Sequence, residues 1–120
     1  MDNNVIRDKS FDFAVRIVRL YEYLCTEKKE FVMSKQILRS GTSIGANIRE
    51  AGRDQSSADF AAKLSIALKE ADETLFWLEL LRKTEYLEER LGDSLHKDCE
   101  EIIKILVTIT KHYYTTKTTL

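Results

Sequence analysis

Apolar residues recur every three or four positions along most of the chain, and this spacing predicts helices. Four such stretches are separated by short polar segments, and as helices of 20 to 25 residues each would be about 30 to 38 Å long. Long helices joined by short connections are typical of an antiparallel up-down bundle. The predicted fold class is therefore all-α, one four-helix-bundle domain over residues 1–120 with helices at about 10–29, 34–53, 57–85 and 93–115.

Three serines mark the predicted starts of the first three helices. Ser10, Ser34 and Ser56 each precede a stretch with apolar periodicity, and their hydroxyls can accept hydrogen bonds from the first turn. Asp59 follows Ser56 by three positions, in the manner of a capping box that uses aspartate. The threonine-rich tail at 115–120 has weak helix propensity, so we expect it to fray.

The predicted second helix contains two interior glycines, although each costs about 1 kcal/mol there relative to alanine. Gly41 and Gly45 are four residues apart and share one face, which together with Gly52 predicts close packing against a neighbouring helix. Another face of the same helix carries a polar row. Its members are Gln36, Arg39, Ser43, Asn47 and Glu50.

The turn between the second and third helices is short, so we expect these helices to be antiparallel neighbours. In that register Arg39 faces Glu70 and Glu73, which are three residues apart and can both bind one guanidinium. Asn47 is expected near Lys63. The polar row therefore predicts a clamp between the two helices.

A buried ion pair would make this clamp sensitive to mutation. Removing one partner leaves the other charge uncompensated, at a cost of about 3 to 5 kcal/mol. We therefore expect Arg39→Ala to destabilise the protein more than Arg49→Ala.

Composition narrows the class of protein. The chain has no proline, 32% charged and 43% apolar residues, a mixture typical of long helices with solvated outer faces. No stretch approaches the roughly 18 to 20 apolar residues of a membrane span, and the first ten residues lack the apolar segment of a signal peptide. We expect a cytoplasmic protein with no membrane association, in which Cys25 and Cys99 are reduced core residues.

Charge is unevenly distributed, although the net charge is only −1. Residues 1–69 carry 12 basic and 9 acidic side chains, residues 70–101 carry 4 and 11, and residues 102–120 carry 3 and none. The two basic segments would meet at the end of the bundle that holds the chain termini, where several aspartates dilute them. A pI of about 6.1 is not typical of a basic nucleic-acid-binding domain.

The sequence predicts no active site. A di-iron bundle needs two Glu-x-x-His motifs, whereas the only acid-x-x-His pair here is Asp93 and His96. His96 and Cys99 have a ligand-like spacing, but a structural zinc site needs four ligands. The segment Gly41–Gly45 lacks the Gly-Lys-Ser/Thr ending of a phosphate-binding loop, and no nearby serine has an activating histidine. We expect no catalytic residue, metal, cofactor or small-molecule substrate.

Several segments together carry a resemblance to a known family. They are Ser34–Ala51 (SKQILRSGTSIGANIREA), Asp59-Phe60, Ile66–Glu73 (IALKEADE) and Trp77-Leu78. These segments resemble the bacterial four-helix-bundle proteins encoded in intervening sequences of 23S ribosomal RNA genes, some of which are labelled ribosomal proteins. The resemblance covers nearly the whole chain and implies an antiparallel four-helix bundle that assembles into a ring-shaped homopentamer.

The resemblance also implies partners and site residues. A similar bundle is the accessory protein of diversity-generating retroelements, a basic pentamer that engages a reverse transcriptase and RNA, whereas this chain is near neutral. The first and fourth helices carry more apolar residues than a lone bundle must bury, which independently favours an oligomer. For the residues that match the family pattern, the resemblance leaves open an interface, a ligand site or a structural clamp, and we favour the clamp because buried polar groups between helices need partners. These residues are Gln36, Arg39, Ser43, Asn47, Glu50, Glu70 and Glu73.

Two functions are predicted from these observations. The first is a non-enzymatic, homo-oligomeric scaffold, a pentamer, that associates with RNA or a ribonucleoprotein. The alternative is a protein-binding adaptor with no nucleic-acid role. Phosphate contacts would make binding strongly dependent on salt, whereas an apolar groove that binds a partner helix would respond little.

Overall fold

The computed structural model describes residues 3–53 and 56–118, and these ranges contain four helices and no strand. Helix α1 spans Asn3–Thr26, α2 Met33–Ala51, α3 Ser57–Lys83 and α4 Glu89–Thr118. Each helix packs against its neighbours in the chain, and α1 also contacts α4, so the helices form an up-down bundle with overall dimensions of 53 × 22 × 21 Å. The predicted all-α four-helix fold is confirmed.

The core is built from the residues that the helical period places on the inward face of each helix. Burying one large aliphatic side chain contributes roughly 1.5 to 3 kcal/mol to the free energy of unfolding, so these core residues are the main source of stability. The largest of them are Phe13, Ile17, Leu20 and Leu24 of α1, Ile37, Ile44 and Ile48 of α2, Leu64, Leu78 and Leu81 of α3, and Leu95, Ile102 and Leu106 of α4.

Two of the three predicted caps are wrong, because the helices begin before the serines. α1 already begins at Asn3, and Ser10 is buried within it, where its Oγ donates to the Arg7 carbonyl at 3.0 Å. Ser34 is likewise buried inside α2. The cap at Ser56 is confirmed, since its Oγ accepts a hydrogen bond from the backbone N–H of Asp59 at 3.1 Å.

The start of α2 is capped by a carboxylate from the preceding connection. Glu30 accepts backbone hydrogen bonds from Val32 at 3.1 Å, Met33 at 3.1 Å and Ser34 at 2.7 Å. Burial alone would raise the pKa of Glu30, but these hydrogen bonds favour the charged form and hold its pKa below the ordinary value. The carboxylate thus satisfies three N–H groups that the helix itself leaves unpaired.

Helix α4 begins four residues earlier than the predicted position 93. Gly92 allows Arg82 of α3 to lie across this first turn, because a Cβ at Gly92 would overlap the arginine side chain. Arg82 Nη2 then pairs with Asp93 Oδ1 at 2.8 Å. At its other end α4 continues to Thr118, into the tail that was expected to fray, while residues 119–120 lie outside the described part of the chain.

Candidate functional site

The side of α2 that faces α1 is shaped by two glycines. A Cβ built on Gly41 would lie 2.8 Å from Ile17 Cγ1, and one built on Gly45 would lie 3.2 Å from the Ser10 carbonyl oxygen. Both distances are shorter than ordinary contacts, so α1 and α2 approach closely at these glycines. Gly52 does not belong to this contact, since it is exposed and forms the C-cap of α2.

The opposite side of α2 carries Arg39, which binds both of the acids that the register predicts. Its Nη1 donates to Glu70 Oε2 at 2.9 Å, and its Nη2 donates to Glu73 Oε2. Trp77 Nε1 also donates to Glu73 Oε2, at 2.9 Å. The hydrogen bonds from Trp77 and Arg39 lower the pKa of Glu73, and the bond to Glu73 raises the pKa of Arg39, so both groups stay charged at neutral pH.

This ion pair is less buried than the sequence analysis assumed. The side chain of Arg39 is 49% exposed, compared with 17% for Glu70 and 35% for Glu73. Water therefore screens the attraction, and removing the guanidinium does not leave a fully buried charge behind. The expected cost of losing Arg39 falls from the buried-pair range to about 1 kcal/mol.

The other members of the polar row do not bind α3. Ser43 Oγ donates to the backbone carbonyl four residues earlier at 2.7 Å, and Asn47 Nδ2 donates to the Ser43 carbonyl at 2.8 Å. Gln36 and Glu50 are exposed. The predicted approach of Asn47 to Lys63 stays a prediction, because the hydrogen bond of the amide within α2 does not fix the position of Lys63.

A buried hydroxyl pair beside Arg39 was missed by the sequence analysis. Ser40 Oγ and Thr74 Oγ1 are 2.9 Å apart and fully buried, and Thr74 Oγ1 also lies 2.8 Å from the Glu70 carbonyl oxygen. The sequence contains a clue to this pair, because Ser40 directly follows Arg39 and Thr74 directly follows Glu73. The polar contact between α2 and α3 therefore has an exposed ionic part and a buried hydroxyl part.

The described residues hold no group of three or more His, Cys, Asp or Glu side chains that could bind a metal ion. His96 Nδ1 lies 2.9 Å from Glu100 Oε1, whereas Cys99 is buried with its Sγ 3.4 Å from the Ala71 carbonyl oxygen. Burial, with smaller contributions from nearby carboxylates, raises the pKa of the Cys99 thiol to about 12. Cys99 and the half-buried Cys25 are both free thiols.

Helices α1, α3 and α4 leave large apolar side chains exposed. On α1, Phe11, Val15 and Val18 are 53%, 42% and 38% exposed and share one face, which we call the α1 stripe. On α3, Ile66 and Phe76 are 45% and 55% exposed and lie about 15 Å apart along the helix, and we call this pair the α3 stripe. The surplus had been expected on the first and fourth helices, and α4 does expose Val107 and Tyr114. None of the helices within the described ranges is long and apolar enough to cross a bilayer.

A groove of about 430 Å³ runs beside the α1 stripe, between α1 and α2. Phe11 lines it together with small residues of both helices, and the guanidinium of Arg49 lies 5.3 Å from the centroid of the Phe11 ring. Those small residues are Ala14, Thr42, Gly45 and Ala46, and the charged residues Arg7, Arg49, Glu50 and Arg53 complete the lining.

Comparison with known proteins identifies a family. Residues 2–108 match the family described as 23S rRNA-intervening sequence protein. A crystal structure of a protein of unknown function from the S23 ribosomal protein family of Bacteroides thetaiotaomicron VPI-5482 is 63% identical, with a TM-score of 0.91, over 92% of this chain and 99% of that chain. No curated protein matches this chain significantly. The family predicted from the sequence is confirmed.

Proposed function

Because this chain belongs to the 23S rRNA-intervening sequence protein family, we propose that it is the subunit of a cytoplasmic, homo-oligomeric scaffold that associates with RNA or a ribonucleoprotein. The assembly is a closed ring of five subunits and has no enzymatic role. The observation that carries the proposal is the exposure of two separate apolar stripes, on α1 and on α3. The ribosomal family of the similar solved structure supports the choice of RNA as partner.

The two stripes favour a ring over a two-fold dimer. They differ in their residues, and they lie on α1 and α3, which do not contact each other within the described ranges. A two-fold dimer buries the same patch on both subunits and would cover only one stripe. A head-to-tail contact joins two different patches and repeats from subunit to subunit until the ring closes, so it covers both.

The residues that match the family pattern have a structural role in this proposal. Glu70 and Glu73 are bound by Arg39, and Trp77 binds the same carboxylate of Glu73. A ligand would have to displace these contacts. We therefore assign the Arg39 cluster to holding α3, and with it the α3 stripe, in a fixed register on α2.

The oligomer is tested by the mass of the purified protein in solution, measured by light scattering. We expect a mass near five protomers, and we expect Phe11→Glu and Phe76→Glu each to lower it, because each places a charge within one stripe. Phe31→Glu is the matched control, since Phe31 is 53% exposed, as Phe11 is, but lies in the connection between α1 and α2, outside both stripes. A monomeric wild-type protein, or equal dissociation by Phe31→Glu, would contradict the ring.

The partner is tested by adding total RNA at low and at high salt. Phosphate contacts make affinity fall steeply with ionic strength, so the mass should grow with RNA only at low salt. If the mass of the ring does not change with RNA at any salt concentration, the result would support the alternative function, an adaptor for protein partners. The groove beside Phe11 favours that alternative, because its apolar lining suits a partner helix.

A further inference from the structure

A cavity of about 340 Å³ opens at the end of the bundle where α1 and α3 begin and where α2 and α4 end. All four helices contribute to its apolar floor. This volume lies at the lower end of the range of roughly 300 to 1,000 Å³ for small-molecule sites. The floor residues are Ile6, Ile48, Phe60, Leu64 and Ile109.

Among the described residues, the charged side chains that line this cavity are three arginines, Arg7, Arg49 and Arg53. Arg7 Nε lies 3.9 Å from Asp8 Oδ1, and both side chains are more than half exposed, so this pair is weak. Arg49 and Arg53 form no ion pair with any carboxylate of the described ranges, and Arg49 instead packs on Phe11. The rim therefore carries three arginine side chains, of which only Arg7 has an ion pair within the described ranges.

We propose that this cavity binds the phosphate of a nucleotide unit, with the three guanidinium groups on the phosphate and the apolar floor under the base. Guanidinium forks match phosphate oxygens in geometry, and three of them offer more donors than one carboxylate can accept. Phe60 is half-buried in the floor and supplies the aromatic side chain on which bases stack. The phosphate can belong to a free nucleotide or to an RNA chain. Only binding of an RNA chain rests on the proposed function.

The test measures binding of three probes to the full chain: inorganic phosphate, AMP and a labelled single-stranded RNA decamer at low salt. Variants are Arg7→Gln, Arg49→Gln and Arg53→Gln, singly and combined. The control is Arg90→Gln, because Arg90 is exposed at the opposite end of the bundle and has no ion pair in the described ranges. We expect the combined variant to lose about tenfold or more in affinity for AMP and RNA, and Arg90→Gln to stay within about twofold.

The same samples are checked by thermal melting and light scattering, so that loss of the fold or of the ring is seen separately from loss of the site. AMP binding that the combined variant abolishes supports the site, even where RNA fails to bind and the proposed RNA partner fails with it. For RNA, the slope of log affinity against log salt should flatten by about 0.7 when the contacts to this one phosphate are removed.

Three results would overturn the proposal. One is AMP affinity that is unchanged in the combined variant, and another is the absence of binding by all three probes. The third is a glutamate-rich peptide that binds more tightly than AMP and depends on the same arginines, since the occupant would then be an acidic protein segment.

Discussion

The two contacts that α2 makes with its chain neighbours are held together differently. Toward α1, Gly41 and Gly45 remove side chains so that the helices can approach, and the surroundings are largely apolar. Toward α3, Arg39 bridges two acids and a buried hydroxyl pair lies beside it. The α1–α2 contact depends on close packing at positions that have no side chain. The α2–α3 contact depends on hydrogen bonds and ion pairs between side chains that are partly exposed to water.

This difference predicts where the protein tolerates change. Interiors are close-packed, so a single added methyl group in the α1–α2 contact has no space to occupy. In the α2–α3 contact the charged groups are partly exposed, and water can replace a lost partner. We therefore expect the glycine contact to dominate stability and the polar contact to fix register.

The largest effect is expected at Gly41. Its Cβ would lie 2.8 and 2.9 Å from the two γ carbons of Ile17, which is fully buried and cannot move aside freely. Gly41→Ala should lower the free energy of unfolding by about 2 kcal/mol, even after the gain of about 1 kcal/mol in helix propensity. Urea unfolding measures it, and Gly52→Ala, at an open position, should change stability by less than about 0.5 kcal/mol.

A double variant shows whether the clash is the cause. Ile17→Ala alone should cost about 2 to 5 kcal/mol through the cavity it leaves. In that background the new methyl group at position 41 has space, so Gly41→Ala should be neutral or stabilising. A cost that persists unchanged would mean that the two side chains do not compete, and the close contact would lose its explanation.

A smaller effect is expected at Arg39. Arg39→Ala should cost about 1 kcal/mol because its ion pairs are partly screened, and Arg49→Ala about 0.5 kcal/mol because it loses only the contact with Phe11. The melting temperatures of the two variants are compared after light scattering has shown that both have the same oligomeric mass in solution. The difference should shrink at high salt. Equal melting temperatures at low salt would contradict the clamp.

The fold could be predicted from the sequence because four apolar stripes and short connections leave few arrangements. The cap of α3 could also be predicted, but the cap of α2 could not, because it is the side chain of Glu30 and not that of Ser34. Glu30 lies outside α2 and reaches back to three N–H groups, a geometry that depends on the path of the connection. The first two turns of α1 contain a single large core residue, Ile6, so the apolar pattern before Phe13 is short and its start was missed.

The contacts of the polar row on α2 could be predicted from the sequence only where the spacing of residues along the two helices determines which side chains meet. An antiparallel register brings Arg39 to two acids three residues apart, and this requires no knowledge of rotamers. For Ser43 and Asn47 spacing gives the face but not the acceptor, and a carbonyl four residues earlier is nearer than α3. The cavity at the bundle end was missed because its arginines come from α1, α2 and the turn after α2, and its floor comes from four helices.

The smallest expected effect is a difference in pH dependence: the stability contributed by the α2–α3 contact should depend on pH, whereas that of the α1–α2 contact should not. The pKa of Glu73 is lowered below its ordinary value of 4.5 by the hydrogen bonds from Trp77 and Arg39. A group with a lowered folded-state pKa contributes stability that is present above the unfolded pKa and is lost as the pH falls through the folded one. Stability should therefore decrease as the pH falls below the ordinary pKa of 4.5, and Glu73→Gln should make that decrease shallower.

Unfolding by urea across this pH range provides the measurement, with Glu79→Gln as the control, because Glu79 is exposed on α3 and has no ion pair in the described ranges. The control should keep the wild-type slope. The cost of Gly41→Ala should be the same at every pH, since no titrating group lies among its nearest contacts. If Glu73→Gln keeps the full acid slope, the ionic part of the α2–α3 contact adds no stability. The buried pair of Ser40 and Thr74 would then be the polar feature that holds these helices in register.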